Sequence, residues 1–274
     1  MIFFDGILAL PSAARLSKPF PKAFFTRHDF ALSPAEKRLL NTPYLPLESE
    51  WMASLKPSAG NVPAYRRPPG LAQLDSLAGG GTATGQDPMD YLEIQYFRIQ
   101  LREVDFKKYA GPLARLYHRY LPYPLLLVVH GDLQYRISAA TKEIPTQTGK
   151  GCTNLQVFES PPINFVTQDE AADSFQQALA FPQLNTLNLK TTYASYLAAI
   201  TALGWQEATG QVTQVAEPHL AYGRLRELRQ LERERDRLTT LLRKSKRMTK
   251  RVELQTELSR VIQSLKTLNP DPHA

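Results

Sequence analysis

The sequence predicts an α+β fold in which a small mixed β-sheet is flanked by helices and followed by a C-terminal basic coiled-coil helical hairpin. Three observations support this prediction. Strand-like and helix-like apolar patterns alternate between residues 91 and 205, leucines recur at heptad spacing between residues 224 and 268, and the basic run RKSKRMTKR interrupts those leucines. The chain of 274 residues, 43% hydrophobic, is long enough to bury a core of its own.

The organisation of the chain follows from shifts in composition. We divide it into an N-terminal mixed segment packing on the core (1–55), a flexible Gly/Pro-rich insertion (56–90), an α+β core (91–205), a linker (206–223), the basic coiled-coil hairpin (224–268) and a tail (269–274). Within the first segment, Ser33 is followed by Pro34 and, three residues on, by Glu36. This pattern is a capping box with proline in the first turn, so it predicts a helix that runs toward Leu40.

The core opens with the strand-like stretch YLEIQYFRIQLREV. Its apolar residues change alternating phase halfway, with Leu92, Ile94 and Tyr96 in one phase and Phe97, Ile99 and Leu101 in the other. Because strand side chains alternate between faces, this change predicts either a β-bulge at Tyr96-Phe97 or a strand buried on both faces.

The remaining core elements are predicted by simple apolar patterns. We expect a helix over 106–120, the strand LLLVVH, a two-residue turn at Gly131-Asp132, the returning strand LQYRISAAT, a fourth strand TNLQVFES, and helices over 170–180 and 189–203. A right-handed crossover makes the first two strands parallel, and the hairpin adds an antiparallel strand.

The positive charge of the chain is confined to its C-terminal part. From Arg224 onward there are 14 Lys and Arg against 7 Asp and Glu, whereas residues 1–223 carry 19 of each sign, so the net charge of +7 belongs entirely to the last fifth of the sequence. Charge concentrated in this way predicts an anionic partner for the C-terminal region.

Two leucine seams flank the basic run. Their members are Leu228, Leu231, Leu238 and Leu242 in the first seam, and Leu254, Leu258, Val261 and Leu265 in the second. Continuing the first seam through the run would turn Val252 and Thr256 inward instead of Leu254 and Leu258. This mismatch favours an antiparallel hairpin with the basic run at its turn, although a stutter in one continuous helix also accounts for it. We expect the seams to hold the hairpin together and to offer a ridge for docking a partner.

The basic run has three interpretations that the sequence leaves open. It is the solvated tip of the hairpin, a grip on the phosphates of duplex DNA, or a socket for an acidic protein. The candidate nucleic-acid-binding residues are Arg243, Lys244, Lys246, Arg247, Lys250 and Arg251. No aromatic residue lies among them, so any contact with DNA is predicted to be to the backbone and independent of base sequence.

A magnesium-dependent nuclease of the restriction type is the competing hypothesis. Such enzymes place an aspartate on one strand and Glu-x-Lys on the next, and these residues hold Mg²⁺ near the scissile phosphate. Glu93 and Gln95 form a Glu-x-Gln variant of this motif and are the candidate catalytic residues. The aspartate is lacking, because Asp90 is too close in sequence and Asp75 lies in the insertion. Otherwise Glu93 and Gln95 are polar residues on one face of a half-buried strand, and no metal or cofactor is predicted.

Membrane insertion and cysteine chemistry are not expected. No apolar run approaches the roughly 18–20 residues of a membrane span, and the N-terminus lacks the charge order of a signal peptide, so we expect a cytoplasmic protein. Cys152 is the single cysteine, and the five histidines are scattered. A thiolate at Cys152, if exposed, would still lack an identifiable histidine partner.

Several short motifs together resemble the bacterial family named domain of unknown function 4391. They are Glu93-Ile94-Gln95 leading to Ile99 and Leu101, Pro122-Tyr123-Pro124, Leu187-Asn188-Leu189 with Tyr193, and Lys250-Arg251-Val252-Glu253-Leu254. The insertion and Gln100-Leu101-Arg102 depart from the family pattern. The resemblance implies a companion of helicases or DNA methyltransferases in restriction-like loci, and it brings no catalytic residue. With the basic run, it predicts a non-enzymatic accessory subunit of an antiphage system that bridges such a partner and DNA.

Overall fold

The computed structural model describes residues 2–27, 30–43, 45–66, 90–143, 150–167 and 169–268. Most of the predicted insertion (67–89, with Asp75) and the predicted tail lie outside these residues. Two compact units make up the chain, residues 1–203 and residues 204–274.

The elements before residue 67 are helix α1 (Ile2–Leu8), strand β1 (Arg15–Pro19), helices α2 (Phe24–Arg27) and α3 (Pro34–Asn41), strand β2 (Glu48–Leu55) and the short helix α4 (Pro57–Gly60). The elements after it are β3 (Ile94–Gln100), α5 (Glu103–Tyr120), β4 (Leu125–His130), β5 (Gln134–Glu143), β6 (Thr153–Glu159), β7 (Ile163–Asn164), α6 (Glu170–Leu179), α7 (Leu189–Thr209), α8 (Pro218–Lys244) and α9 (Met248–Leu268). Among the described residues, no helix is both long and apolar enough to cross a membrane.

The strands form one mixed sheet in the order β1-β2-β3-β4-β5-β6, and β7 pairs with β5. Strands β1, β2 and β3 are antiparallel neighbours, β3 and β4 are parallel and joined by α5, and β5 returns antiparallel to β4. The α+β class, the parallel pair across the helical crossover and the antiparallel hairpin strand are therefore confirmed. The sheet also contains β1 and β2, which the sequence analysis did not identify.

The change of phase in β3 has a clear structural cause. Tyr96 and Phe97 are both fully buried, one on each face of the sheet, so the alternative of a strand covered on both sides is correct. The extra residue lies in β2: Trp51 pairs with Phe97 and Ala53 with Tyr96, which leaves Met52 as the bulge. The bulge is therefore opposite the predicted position, on the neighbouring strand.

Helices cover both faces of the sheet. On one face, α5 packs with α2 and α3 over the strands in a core that contains Phe25, Leu40, Phe97, Ile99, Phe106, Leu113, Tyr117 and Leu127. On the other face, α7 contributes Tyr193 and Tyr196, and the Tyr196 hydroxyl lies 3.2 Å from that of Tyr96. This burial on both sides explains why β4 is a nearly continuous apolar run.

The predicted capping box is present at α3. The Glu36 N–H donates to Ser33 Oγ at 3.3 Å, and the Ser33 N–H donates to Glu36 Oε2 at 2.7 Å. Two other boundaries differ from expectation: α5 begins at Glu103, and α7 continues to Thr209. The predicted two-residue turn at Gly131-Asp132 is also wrong, because Leu133 belongs to the connection as well.

The β1 edge of the sheet is irregular. Strand β1 pairs with β2 at three positions, with a shift of register between Arg15 and Lys18. Ser17 has a φ of 48°, which few residues other than glycine adopt. Pro19 ends the strand and has no N–H to donate.

The second unit contains the last turns of α7 and the pair of helices α8 and α9. A Cβ at Gly204 would lie 2.6 Å from Leu225 Cδ2, so glycine allows α7 and α8 to approach closely. The Trp205 indole N–H donates to the carbonyl of Ala221 at 3.2 Å. Of the segment predicted as a linker (206–223), only residues 210–217 are therefore non-helical.

Candidate nucleic-acid interface

Helices α8 and α9 form the helical hairpin that the two seams predict. Only Ser245, Lys246 and Arg247 separate the helices, so the break falls within the basic run. Ser245 ends α8 in an extended conformation (φ −76°, ψ 125°), and its N–H still donates to the carbonyl of Leu241 at 3.0 Å. The helix therefore ends without the left-handed residue that a glycine or asparagine would supply.

The leucine seams form the interior of the hairpin. Leu238, Leu254 and Leu258 are buried together, and Leu242 and Val261 pack against them. Leu228 is also buried, whereas Leu231 and Leu265 are half-buried. Val252 is 59% exposed and Leu254 is 7% exposed, as the out-of-register seams require. The buried leucines have little surface left with which to contact a partner.

The six cations of the run are all exposed around this connection. We call them the basic tip, and they are Arg243, Lys244, Lys246, Arg247, Lys250 and Arg251. Within the described part of the chain, none of the six makes an ion pair with a carboxylate. They therefore form a patch of one sign at the end of the hairpin.

Among the described residues, three of the other arginines in the same unit are paired with carboxylates. Arg229 contacts Glu207 at 2.7 Å, and Arg237 contacts Glu234 at 2.9 Å. Arg235, at a position of the first seam, is half-buried and contacts its neighbour Asp236 at 2.8 Å. The rest of the hairpin, which we call the shaft, therefore contains ion pairs, whereas the described residues show none at the tip.

Helix dipoles do not account for the basic tip. Arg243 and Lys244 lie in the last turn of α8, where cations are favourable, but Lys250 and Arg251 lie in the first turn of α9 with no acidic residue beside them. The partial positive charge at a helix N-terminus disfavours cations there. Because no acidic residue lies in this turn to offset the cations, the arrangement suits an anionic ligand that covers the tip.

The Glu93 cluster lies at the start of β3, far along the chain from the hairpin. Strand β2 is the preceding strand that the nuclease hypothesis requires, and it brings Ser54 and Lys56 to Glu93. Ser54 Oγ and Gln95 Nε2 donate to the Glu93 carboxylate at 2.8 Å and 2.7 Å. Lys56 Nζ lies 3.7 Å from Glu93 Oε2, so both carboxylate oxygens are engaged by the protein itself.

This cluster is a poor metal site as it stands. On β2, the residue opposite Gln95 is Ser54, whereas the nuclease pattern requires an aspartate on this strand. The described residues contain no group of three or more His, Cys, Asp and Glu side chains that could hold a metal ion. Asp90 is described and belongs to no such group, and Asp75 lies outside the described residues.

A buried polar centre in the first unit was missed by the sequence analysis. Lys142, 1% exposed, donates from Nζ to the carbonyls of His118 (3.0 Å) and Leu121 at the end of α5. Burial lowers the pKa of Lys142 to about 8. The pKa of His118 falls well below its ordinary value because of burial and the nearby charge of Lys142. A lysine inside the strand pattern RISAATKE was the available signal.

Cys152 and His130 have no catalytic geometry. Cys152 is buried rather than exposed, and burial raises the pKa of its thiol, which disfavours a thiolate. His130 is the last residue of β4, and its Nδ1 lies 2.9 Å from the carbonyl of Gly131. Burial lowers the pKa of His130. Both residues therefore serve the packing around the sheet.

The sequence profile of the family described as Domain of unknown function (DUF4391) matches residues 85–265. The chain belongs to the DUF4391 family. The matched range takes in the sheet from β3 onward, Glu93 and Gln95, and most of the hairpin, including the whole basic tip. Comparisons with curated proteins and with solved structures give no match. The DUF4391 assignment thus describes what the chain is related to and leaves its activity to be inferred from the sites above.

Proposed function

We propose that the chain is a non-enzymatic accessory subunit that binds duplex DNA through the basic tip. The observation that supports this function is the set of six exposed cations at the end of the hairpin, none of which pairs with a carboxylate among the described residues. Unpaired Lys and Arg side chains bind phosphates and release condensed counterions, so the affinity should fall steeply with salt. The tip carries no aromatic residue for stacking on bases, so binding is to the backbone.

The partner and the setting of this function come from the family resemblance. It suggests a helicase or DNA methyltransferase of a bacterial restriction-like antiphage system, with the chain bridging that enzyme and DNA in the cytoplasm. The two compact units suit such a role, since the basic tip and the sheet are parts of different units. The leucine seams keep the hairpin in shape and present the tip.

The test compares two triple variants of the full chain by fluorescence anisotropy of a labelled duplex, from about 50 mM to about 200 mM salt. The tip variant is Lys246→Gln, Arg247→Gln and Lys250→Gln. The matched shaft variant is Arg226→Gln, Arg233→Gln and Arg260→Gln, which removes three exposed cations from the same hairpin.

We expect the tip variant to bind more weakly and to lose about 0.9 of the slope of log K against log salt for each phosphate contact removed. The shaft variant should retain nearly the full slope. Equal losses in the two variants would indicate diffuse attraction rather than a tip-specific site. If the unmodified chain does not bind duplex DNA at low salt, the DNA-binding function is wrong.

A metal-dependent nuclease is the second candidate, because β2 does provide a strand beside Glu93 and Gln95. Mg²⁺ is bound through one or two carboxylates together with phosphates and water, so one glutamate is a minimal site. Cleavage of duplex DNA with Mg²⁺ is to be measured for the chain and for Glu93→Gln, which keeps the side-chain shape. Metal-dependent cleavage that disappears in Glu93→Gln would replace the accessory function by the nuclease.

A further inference from the structure

A groove between α3 and α5 in the first unit is not used by the proposed function. Its volume is about 770 Å³, and its floor is aliphatic. Leu39 of α3, Pro112 and Leu116 of α5, and Leu155 of β6 supply that floor. Both helices are amphipathic. They lie on opposite sides of the groove, which is open to solvent between them.

The rim of the groove is basic. Arg38, Lys108, Arg115 and Arg119 line it, together with one carboxylate, that of Glu36. Glu36 already accepts from the Ser33 N–H at 2.7 Å and from the Tyr120 hydroxyl at 3.2 Å, both of which are internal to the fold. The rim therefore has four cations and one carboxylate, and that carboxylate already accepts hydrogen bonds from within the fold.

The existing ion pairs of the rim are weak. Arg115 is 61% exposed and lies 3.8 Å from Glu159, and Arg119 is 48% exposed and lies 3.4 Å from Glu36. Partly exposed pairs at these distances contribute little, so both arginines are available to an added carboxylate. Arg38 donates from Nε to the carbonyl of Pro34 at 3.3 Å, and Lys108 lies 4.6 Å from the centroid of the Tyr109 ring.

We infer that this groove binds an acidic amphipathic helical segment of a partner protein. An aliphatic floor accepts leucine-like side chains spaced along one face of a helix, and a basic rim attracts the acidic residues that flank them. Duplex DNA fits less well, because phosphates gain nothing from an aliphatic floor. A stacked single strand fits less well too, because Tyr109 is the one aromatic side chain among the groove residues described.

This inference is independent of the proposed function, because no groove residue belongs to the basic tip. The probe is a fluorescein-labelled peptide of about 18 residues, with leucines at helical spacing on one face and glutamates beside them. A shuffled peptide of the same composition, in which the leucines share no face, is its control. All measurements use the full chain carrying the tip triple variant, so that the tip attracts the acidic probe less strongly.

Charge reversals test the rim by fluorescence anisotropy. The groove variant is Arg38→Glu with Lys108→Glu, and its matched control is Lys37→Glu with Lys107→Glu, at the neighbouring exposed positions of the same helices. We expect the amphipathic peptide to bind and the shuffled peptide not to bind. The groove variant should lower the affinity about tenfold or more, while the control variant changes it less than about twofold.

Four outcomes would overturn the inference. They are failure of the amphipathic peptide to bind, equal binding of the shuffled peptide, equal weakening by the two charge-reversal variants, and displacement of the peptide by a short DNA duplex whose own affinity falls in the groove variant. The last outcome would assign the groove to nucleic acid. Far-ultraviolet circular dichroism establishes that each variant is folded before binding is compared.

Discussion

The Tyr193 hydroxyl lies between the backbones of Leu125 and Ala140, at the place where β4 and β5 separate. The N–H of Ala140 donates to it at 2.8 Å and the N–H of Leu125 at 3.3 Å, while both carbonyl oxygens are 3.0 Å away and accept its single proton in turn. A side chain of α7 thus completes the hydrogen bonding between two buried strands. The helix and the sheet are joined by polar as well as apolar contacts.

Tyr193→Phe should destabilise the first unit strongly. The substitution removes one hydroxyl and leaves buried backbone groups of Leu125 and Ala140 without partners, each costing about 1–3 kcal/mol. We expect a loss of about 2–4 kcal/mol in the free energy of unfolding, measured by urea denaturation. Tyr196→Phe is the matched control, since its equally buried hydroxyl meets only that of Tyr96 and its removal should cost about 1 kcal/mol. Equal losses in the two variants would contradict the proposed role of Tyr193.

Lys142 should make stability rise with pH above neutrality. Burial lowers its pKa from 10.5 to about 8, so between these values the unfolded chain binds the proton more readily than the folded chain. Stability then increases with pH in this window, by up to about 1.4 kcal/mol per unit. Lys142→Met has no such proton and should lack the increase, as measured by urea denaturation from about pH 7.5 to about pH 10.

The comparison at Lys142 is best made in chains that both carry Cys152→Ala. Burial raises the pKa of the Cys152 thiol, so this residue contributes a slope of the opposite sign in the same window. Removing the thiol from both chains isolates the lysine. Parallel pH profiles with and without Lys142 would show that the ammonium group has solvent access in the folded state.

Glu103 should stabilise the loop that connects β4 and β5. Its carboxylate accepts from the Leu133 N–H at 2.9 Å and from the Gln134 side chain, and a Cβ at Gly131 would lie 2.2 Å from it. Burial acts to raise the pKa of Glu103, but hydrogen bonds from Leu133, Gln134 and Asp132 outweigh it and lower that pKa. The stabilisation is therefore present above the ordinary glutamate range and is lost as the pH falls through the lowered pKa.

Glu103→Gln should weaken a hydrogen bond, because it removes the negative charge and one of the two acceptor oxygens beside the Leu133 amide. We expect the hydrogen exchange of this amide to speed up about tenfold, which corresponds to the loss of one hydrogen bond to a charged group. Asp105→Asn is the control, because Asp105 lies in the same first turn of α5 but pairs with Arg102 at 2.6 Å. An unchanged exchange rate at Leu133 in Glu103→Gln would mean that the connection is held by other contacts.

Substitutions at Leu254 and at Val252 should differ in their effect on the stability of the hairpin. Leu254→Ala removes a buried side chain from the contact between α8 and α9 and should cost at least about 2 kcal/mol, whereas the exposed Val252→Ala should cost less than about 0.5 kcal/mol. Hydrogen exchange of peptides from 218–268 reports these opening free energies. The reverse order would favour a continuous helix in which Val252 continues the first seam.

Strong local signals made much of the fold predictable. The capping box at Ser33, the apolar run of β4 and the shift between leucine seams each depend on residues close in sequence, and each appears where it was expected. The phase change in β3 was also informative, although its bulge belongs to Met52 of the partner strand. A bulge adds a residue on one side of a pair, and one strand alone does not reveal which side.

Strands β1 and β2 could not be predicted because their burial follows no simple period. In β2 the buried residues are consecutive, from Met52 to Leu55, while the first half of the strand carries Glu48 and Glu50. The surroundings of Glu93 were hidden for the same reason, since Ser54 and Lys56 approach it only through this pairing. The basic tip was visible in sequence as a charge run, but its lack of ion pairs is a tertiary property.

The irregular edge at β1 limits how the protein associates with itself. An open sheet edge normally accepts a strand from another chain, and that addition leads to dimers or fibres. Here the shifted register, the left-handed backbone at Ser17 and the missing N–H of Pro19 interrupt the row of donors and acceptors. On this side, the sheet is therefore a poor template for the addition of a strand from another chain.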